Sequence, residues 1–211
     1  LGVWLGDRAC RSATVTLAEW DYEEIADQVR WSGEFAALRG VNAEEHTRTA
    51  VMTRTHHKAT SFQGRLRALG LLRNKHIPAD YLRAGHGQRL ELLQGLLDTD
   101  GHVSQAGECE IAIKYPKLAD GFAELLSSLG IKYGRGLKTV VRDGKRFGPY
   151  HRFHFTIHRS VPAFRLRRKQ DRLRPRPGIR PMSESRQIAA IEPTASVPVK
   201  CIQVDSPSRL Y

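Results

Sequence analysis

The feature that most narrows what this chain can fold into is a repeat. Sliding the sequence by 93 positions lays Gly2 on Gly95, Val3 on Leu96, Leu5 on Asp98, Gly6 on Thr99 and Asp7 on Asp100. The same shift brings Tyr22 onto Tyr115, Ile25 onto Leu118, Ala26 onto Ala119 and Asp27 onto Asp120. Two separate segments agreeing on one offset predict an α+β fold of two pseudo-symmetric lobes with the same order of elements.

In the second half, Leu90, Leu93, Leu96 and Leu97 predict a helix over 88–98 that stops at Asp100-Gly101. Residues 108–114 alternate as a strand, and 116–129 read as a helix with Pro116 in its first turn and Gly130 as its stop. Strands over 136–142 and 150–158 flank a turn at Asp143-Gly144, and 162–172 predict a last, basic helix. The first half is expected to run in parallel: a helix ending at Asp7, a strand over 12–18, a helix over 22–38, a strand over 48–54 and a helix over 61–69. Pro175, Pro177, Gly178 and Pro181 mark a linker, and 197–204 read as a strand belonging to another unit. The expected organisation is therefore a first lobe over 1–90, a second over 91–174, and a linker with a strand remnant over 175–211.

Charge points to the partner. The chain carries 34 Lys and Arg against 22 Asp and Glu, a net +12, and each phosphate neutralised by such a surface releases a condensed counterion. Nucleic acid is the expected partner; the basic residues are not gathered opposite a bulky apolar face, as a membrane-surface helix would require. No apolar run reaches the roughly 18 residues of a membrane span, and residues 1–10 lack a signal-peptide layout, so a cytoplasmic protein with no membrane partner is expected. Cys10, Cys109 and Cys201 are too widely spaced for a disulfide framework or a zinc site and are read as free thiols. His56-His57 has no acid or Asn spacing around it to make a nuclease motif and is read as surface histidine near phosphate, and Trp4, Trp20 and Trp31 are expected in the core.

The chemistry is expected at the helix ends. In Gly2-Val3-Trp4-Leu5-Gly6-Asp7 the small residues stand at i and i+4, which lets two helix backbones approach closely, and the positions recur in Gly95-Leu96-Leu97-Asp98-Thr99-Asp100. If the two helices pack together, Asp7 and Asp100 emerge side by side. Both acids sit at the end of a helix where the macrodipole disfavours a negative charge. Two adjacent carboxylates call for a hard cation between them, and oxygen ligands select Mg²⁺, or Mn²⁺, over zinc. Such a metal is suited to phosphodiester hydrolysis.

These segments resemble the two motifs of LAGLIDADG homing endonucleases, the second almost complete in Leu93-Gln94-Gly95-Leu96-Leu97-Asp98-Thr99-Asp100-Gly101. Asn74-Lys75-His76-Ile77-Pro78 resembles the lysine-bearing block between the motifs of intein endonucleases, and Val199 to Pro207 is similar to a strand block near the end of inteins. The resemblance implies lobes of αββαββα type packed through the motif helices, each with an antiparallel saddle sheet, in a monomer with an internal pseudo-two-fold. It implies a site-specific endonuclease acting on double-stranded DNA, with flanking host-protein segments. Asp7 and Asp100 would bind metal with the carbonyls of Gly6 and Thr99, and Lys75 would support the attacking water or the charged transition state. Repeat logic makes Lys169 its partner, one residue off the offset. Expected DNA contacts are Arg8, Arg11, Lys114, Lys138, Arg142, Lys145, Arg152, His154, Arg167 and Arg168. Arg8 stands where the motif has glycine, and the first helix begins at Leu1, already inside the motif.

Two other readings accompany this one: a LAGLIDADG-derived DNA-binding protein without cleavage, and a fragment of a self-splicing intein. Splicing needs Cys or Ser at the first position and Asn at the last, where this chain has Leu1 and Tyr211.

Overall fold

Apolar spacing sets each element of the computed structural model, which describes residues 1–7, 9–31, 35–53, 61–142, 144–173, 188 and 190–200. A short helix α1 (Gly2–Gly6) leads into strand β1 (Thr14–Ala18), where Val15 and Leu17 turn inward and Thr16 outward. A 3-10 turn, Glu19–Asp21, precedes α2 (Tyr22–Trp31), whose Tyr22, Ile25, Ala26 and Val29 follow the helical period into the core. Strands β2 (Phe35–Asn42) and β3 (Thr47–Thr53) form a hairpin, and α3 (Phe62–Ala68) starts at Ser61, whose hydroxyl accepts the Gly64 N–H at 3.1 Å. After a one-turn helix α4 (Ala79–Leu82) comes α5 (His86–Asp100), buried from Leu92 to Asp98.

The second lobe continues with β4 (His102–Val103), β5 (Glu108–Ile113), α6 (Pro116–Ser128), the long hairpin β6 (Tyr133–Arg142) and β7 (Lys145–Thr156), and a four-residue helix α7 (Arg167–Gln170). All pairings are antiparallel, in the orders β1-β3-β2 and β4-β5-β7-β6. The last strand of each lobe lies between the strand that precedes the middle helix and its own hairpin partner, so this part of the topology repeats as the sequence does. The second lobe is αββαββα, and the first has one strand fewer among the described residues. Buried apolar side chains of both lobes form one continuous core, with α1 and α5 at its centre.

Four expectations need correction. Helix α2 ends at Trp31, and the chain then returns as β2, where the sequence suggested helix to Leu38. The β-strand wins because Phe35–Asn42 finds a full ladder on β3. The basic helix expected over 162–172 shrinks to α7, because the N–H groups of Arg165 and Leu166 turn to the Asp98 carboxylate. Trp20 is 68% exposed, since its turn gives the inward positions to Asp21 and Tyr22, whereas Trp4 is buried. Residues 197–200 form no strand; 201–204, the linker over 174–182, His56 and His57 lie outside the described residues.

Candidate active site at the paired helix ends

The motif helices touch through backbone. A Cβ placed on Gly95 would lie 2.6 Å from Val3 N and 2.9 Å from Gly2 Cα, and one on Gly2 would lie 2.4 Å from Leu92 O. One turn on, a Cβ on Gly6 would fall 1.9 Å from Thr99 Oγ1, a hydroxyl already folded back to Gly95 O at 3.0 Å. Only glycine permits this approach, and it brings the carboxyl ends of the helices together.

Asp7 and Asp100 consequently line one cavity of about 220 Å³, with Thr16, Thr99 and Lys169 also in its wall. Asp7 is buried and held in place: Oδ2 accepts the Ala9 N–H at 2.9 Å and Oδ1 the Thr16 N–H at 3.1 Å. Asp100 is exposed. Thr99 lines the cavity, whereas Gly6 does not and sits one residue behind Asp7. No hydrogen bond among the described residues ends on the carbonyl of Gly6 or Thr99. Among those residues there is also no group of three or more His, Cys, Asp or Glu able to hold a metal. The acids on the cavity wall offer oxygen donors, the kind a hard divalent cation prefers.

Each helix end is closed by a lysine of its own lobe. Lys75 is 1% exposed and its ammonium donates to the carbonyls of Trp4 (2.6 Å), Leu5 (3.2 Å) and Asp7. Lys169 is 4% exposed and donates to Leu97 O (2.9 Å), Asp98 O (2.6 Å) and Gly101 O (2.7 Å). Under the shift of 93, Trp4 and Leu5 map onto Leu97 and Asp98, so Lys75 and Lys169 are structural equivalents despite the one-residue slip in sequence. Three donors meeting three orphan carbonyls satisfy the buried ammonium, and its charge offsets the dipole that disfavours acids at these ends. Burial lowers both lysines to about 8; Asp7 and Asp100 partly restore Lys75, while Arg168 lowers Lys169 further and Asp98, Asp21 and Asp100 oppose that. Each ammonium is thus engaged by three backbone carbonyls.

Three acids absent from the sequence expectations shape the surroundings. Asp98 is 1% exposed, accepts the N–H groups of Arg165 and Leu166 at 3.2 Å each, and has its carboxyl pushed up to about 6 by burial. Asp21, also buried, receives both arms of the Arg168 guanidinium, Nε at 2.6 Å, tying the second lobe to the first. Arg168 was expected on DNA; the structure gives it this bond. Glu110 receives Arg152 Nη2 at 2.7 Å and Lys138 Nζ at 3.0 Å on the outer face of the second sheet. The signal for Asp98 was its place inside the repeated motif; nothing local singles out Asp21 or Glu110.

The remaining expected DNA contacts divide by place. Lys138, Arg152 and His154 lie on the outer face of the second sheet, and Lys145 is exposed at the tip of its hairpin. Arg11 is exposed ahead of β1, Lys114 is exposed just after β5, and Arg167 is exposed while its backbone N–H binds Glu24 Oε1 at 3.1 Å. Arg8 and the side chain of Arg142 fall outside the described residues.

Residues 87–159 match the family model of the LAGLIDADG-like domain. That stretch is the second lobe from α5 to the end of β7, and the fold is α+β of the LAGLIDADG type. Over its full length the chain is 33% identical to a protein of Mycobacterium intracellulare named replicative DNA helicase DnaB, and it spans 32% of that relative's length. Among solved structures, the N-terminal LAGLIDADG domain of DUF199/WhiA is similar at a TM-score of 0.44 and 10% identity, covering 74% of each chain. No helix among the described residues is long and apolar enough to cross a membrane.

Proposed function

We propose that this chain is the site-specific, Mg²⁺-dependent double-stranded DNA endonuclease of an intein. The observation that carries the reading is the shared cavity of Asp7 and Asp100 at the ends of two helices in backbone contact. Two acids brought this close by glycine packing, each at the unfavourable pole of its helix, make sense as ligands for a cation.

Asp7 and Asp100 would hold Mg²⁺ or Mn²⁺ with help from the carbonyls of Gly6 and Thr99. Such an ion binds the scissile phosphate, lowers the pKa of a water and stabilises the leaving oxyanion. The protein's part is positioning. The Ala9 and Thr16 N–H groups fix the Asp7 carboxylate, and Lys75 and Lys169 keep the two helix ends rigid while adding positive charge behind the phosphate. The two outer sheet faces lie along the duplex, and the net charge of +12 supports phosphate contact.

The intein assignment rests on the relative's name and length. A relative named as a helicase, of which this chain spans 32%, supports reading the chain as a nuclease unit carried within a longer host protein. The DNA target is then the helicase coding sequence uninterrupted at the point of insertion.

A supercoiled plasmid carrying that junction decides the matter. Linearisation with Mg²⁺, abolished in Asp100→Asn while duplex binding persists, is the expected result. Binding without nicking under Mg²⁺ or Mn²⁺ moves the protein to the non-cleaving DNA-binding class.

A further inference from the structure

The outer faces of the two sheets carry different chemistry although their topology is the same. In the first lobe the β1–β3 ladder presents Thr14, Thr16 and Ala18 on β1, paired with Val51, Thr49 and Thr47 on β3, and β2 adds Asn42 opposite Thr47 and an exposed Arg39 at its bulge. Thr16 and Thr49 hydroxyls meet at 3.2 Å across the strands, and no residue of those β1–β3 pairs carries a charge. At the corresponding place in the second lobe stand Glu110 and His154, a cross-strand pair, flanked by Arg152 and Lys138.

Those charges are arranged rather than scattered. One Glu110 oxygen takes Lys138 and the other takes Arg152, with Glu110 26% exposed and the two cations nearly half exposed. Exposed ion pairs contribute little to stability, so the consequence of this one is orientation. Arg152 is held by a single nitrogen, Nη2, which leaves Nη1 and Nε to donate outward. Hydrogen bonding from Arg152, then from Lys138, also keeps the Glu110 carboxyl below the usual range, so it stays an acceptor at neutral pH.

Resting on the DNA-binding reading above, we infer that Arg152 and Glu110 together specify a G·C pair under the second lobe, while the threonine ladder of β1 and β3 selects A·T pairs under the first. In the major groove, guanine offers the acceptors O6 and N7 that suit arginine, and cytosine offers the N4 donor that suits a carboxylate. Held side by side, the two groups match the two bases of one pair. Threonine and valine methyl groups instead complement the thymine methyl, and a hydroxyl adapts to either donor or acceptor.

Selection of bound duplexes from a library randomised on both sides of the cleavage point, using the full chain, tests this. One arm should fix a G·C pair and the other should enrich A·T. Arg152→Ala should lower the guanine preference about 5- to 100-fold at that position. Glu110→Gln should relax the same position without weakening overall binding, since it removes a negative charge facing DNA. Thr16→Ser with Thr49→Ser keeps the hydroxyls, removes the methyls and should erode the A·T arm. All these side chains are surface groups, and Arg152→Lys, which keeps the charge but not the fork, should reproduce the Arg152→Ala loss of guanine preference. A palindromic consensus, or a G·C position indifferent to both Arg152 and Glu110 changes, overturns the inference and leaves DNA binding standing. Failure to bind any duplex overturns both.

Discussion

Gly95 sits against Gly2 with no room for a methyl group on either: a Cβ on Gly95 would lie 2.8 Å from the Gly2 carbonyl carbon, against backbone that cannot rotate away. The separation of Asp7 and Asp100 is set by this contact and not by the acids themselves.

Gly95→Ala is therefore expected to push the helices apart. Overpacking of a rigid contact costs about 1–3 kcal/mol, read as a lowered midpoint in urea unfolding. Under the proposed nuclease function, the cleavage rate should fall more than duplex affinity, because the sheets remain while the acid pair opens. An unchanged midpoint would show that the helix pair does not meet as described.

Lys169→Met leaves the carbonyls of Leu97, Asp98 and Gly101 without their donor inside the protein. A loss of about 2–4 kcal/mol follows, by the cost of orphaned buried acceptors. Thermal unfolding should read that loss as a lowered midpoint.

Arg168 supports a different prediction. Its guanidinium covers the buried carboxylate of Asp21, so Arg168→Ala strands a charge between the lobes and should cost about 3 kcal/mol. A simple phosphate contact would instead reduce DNA affinity and its salt dependence while leaving the unfolding midpoint in place.

Asp98 gives a pH dependence with a definite sign. Its carboxyl is raised from 3.8 to about 6 in the folded chain, so between those values the folded state holds a proton that the unfolded state has released. Stability from this group is thus fullest below about pH 4 and declines as pH rises to about 6, by roughly 2 kcal/mol. Denaturant unfolding at intervals from pH 4 to 6.5 should show that decline in the native sequence relative to Asp98→Asn. A difference that grows with pH would contradict the assigned direction.

Much of this site was legible in the sequence because its determinants are local. Gly2 and Gly6, a turn apart, mark a helix face that can approach another backbone, and the same spacing at Gly95 and Thr99 names the partner. The acids follow one residue later, and Lys75 stands in its own motif. Core positions such as Leu93, Leu96 and Leu97 were likewise readable, since a helical period shows which face turns inward.

The rest depended on contacts between distant residues. Whether Arg168 or Lys169 caps α5 cannot be read from two adjacent basic residues. It is decided by Asp98, which captures the N–H groups of Arg165 and Leu166 and so rotates the start of α7 until Lys169 faces inward. Asp21 acquires its role only because Arg168, 147 residues away, is left on the other face of that turn. Segment 35–42 became a strand because β3 offered it a ladder, and Glu110 gained meaning only when Lys138 and Arg152 were brought to it across the sheet. Sequence period fixes which way a side chain points within its element, whereas the partner it meets is a property of packing, which local spacing does not encode.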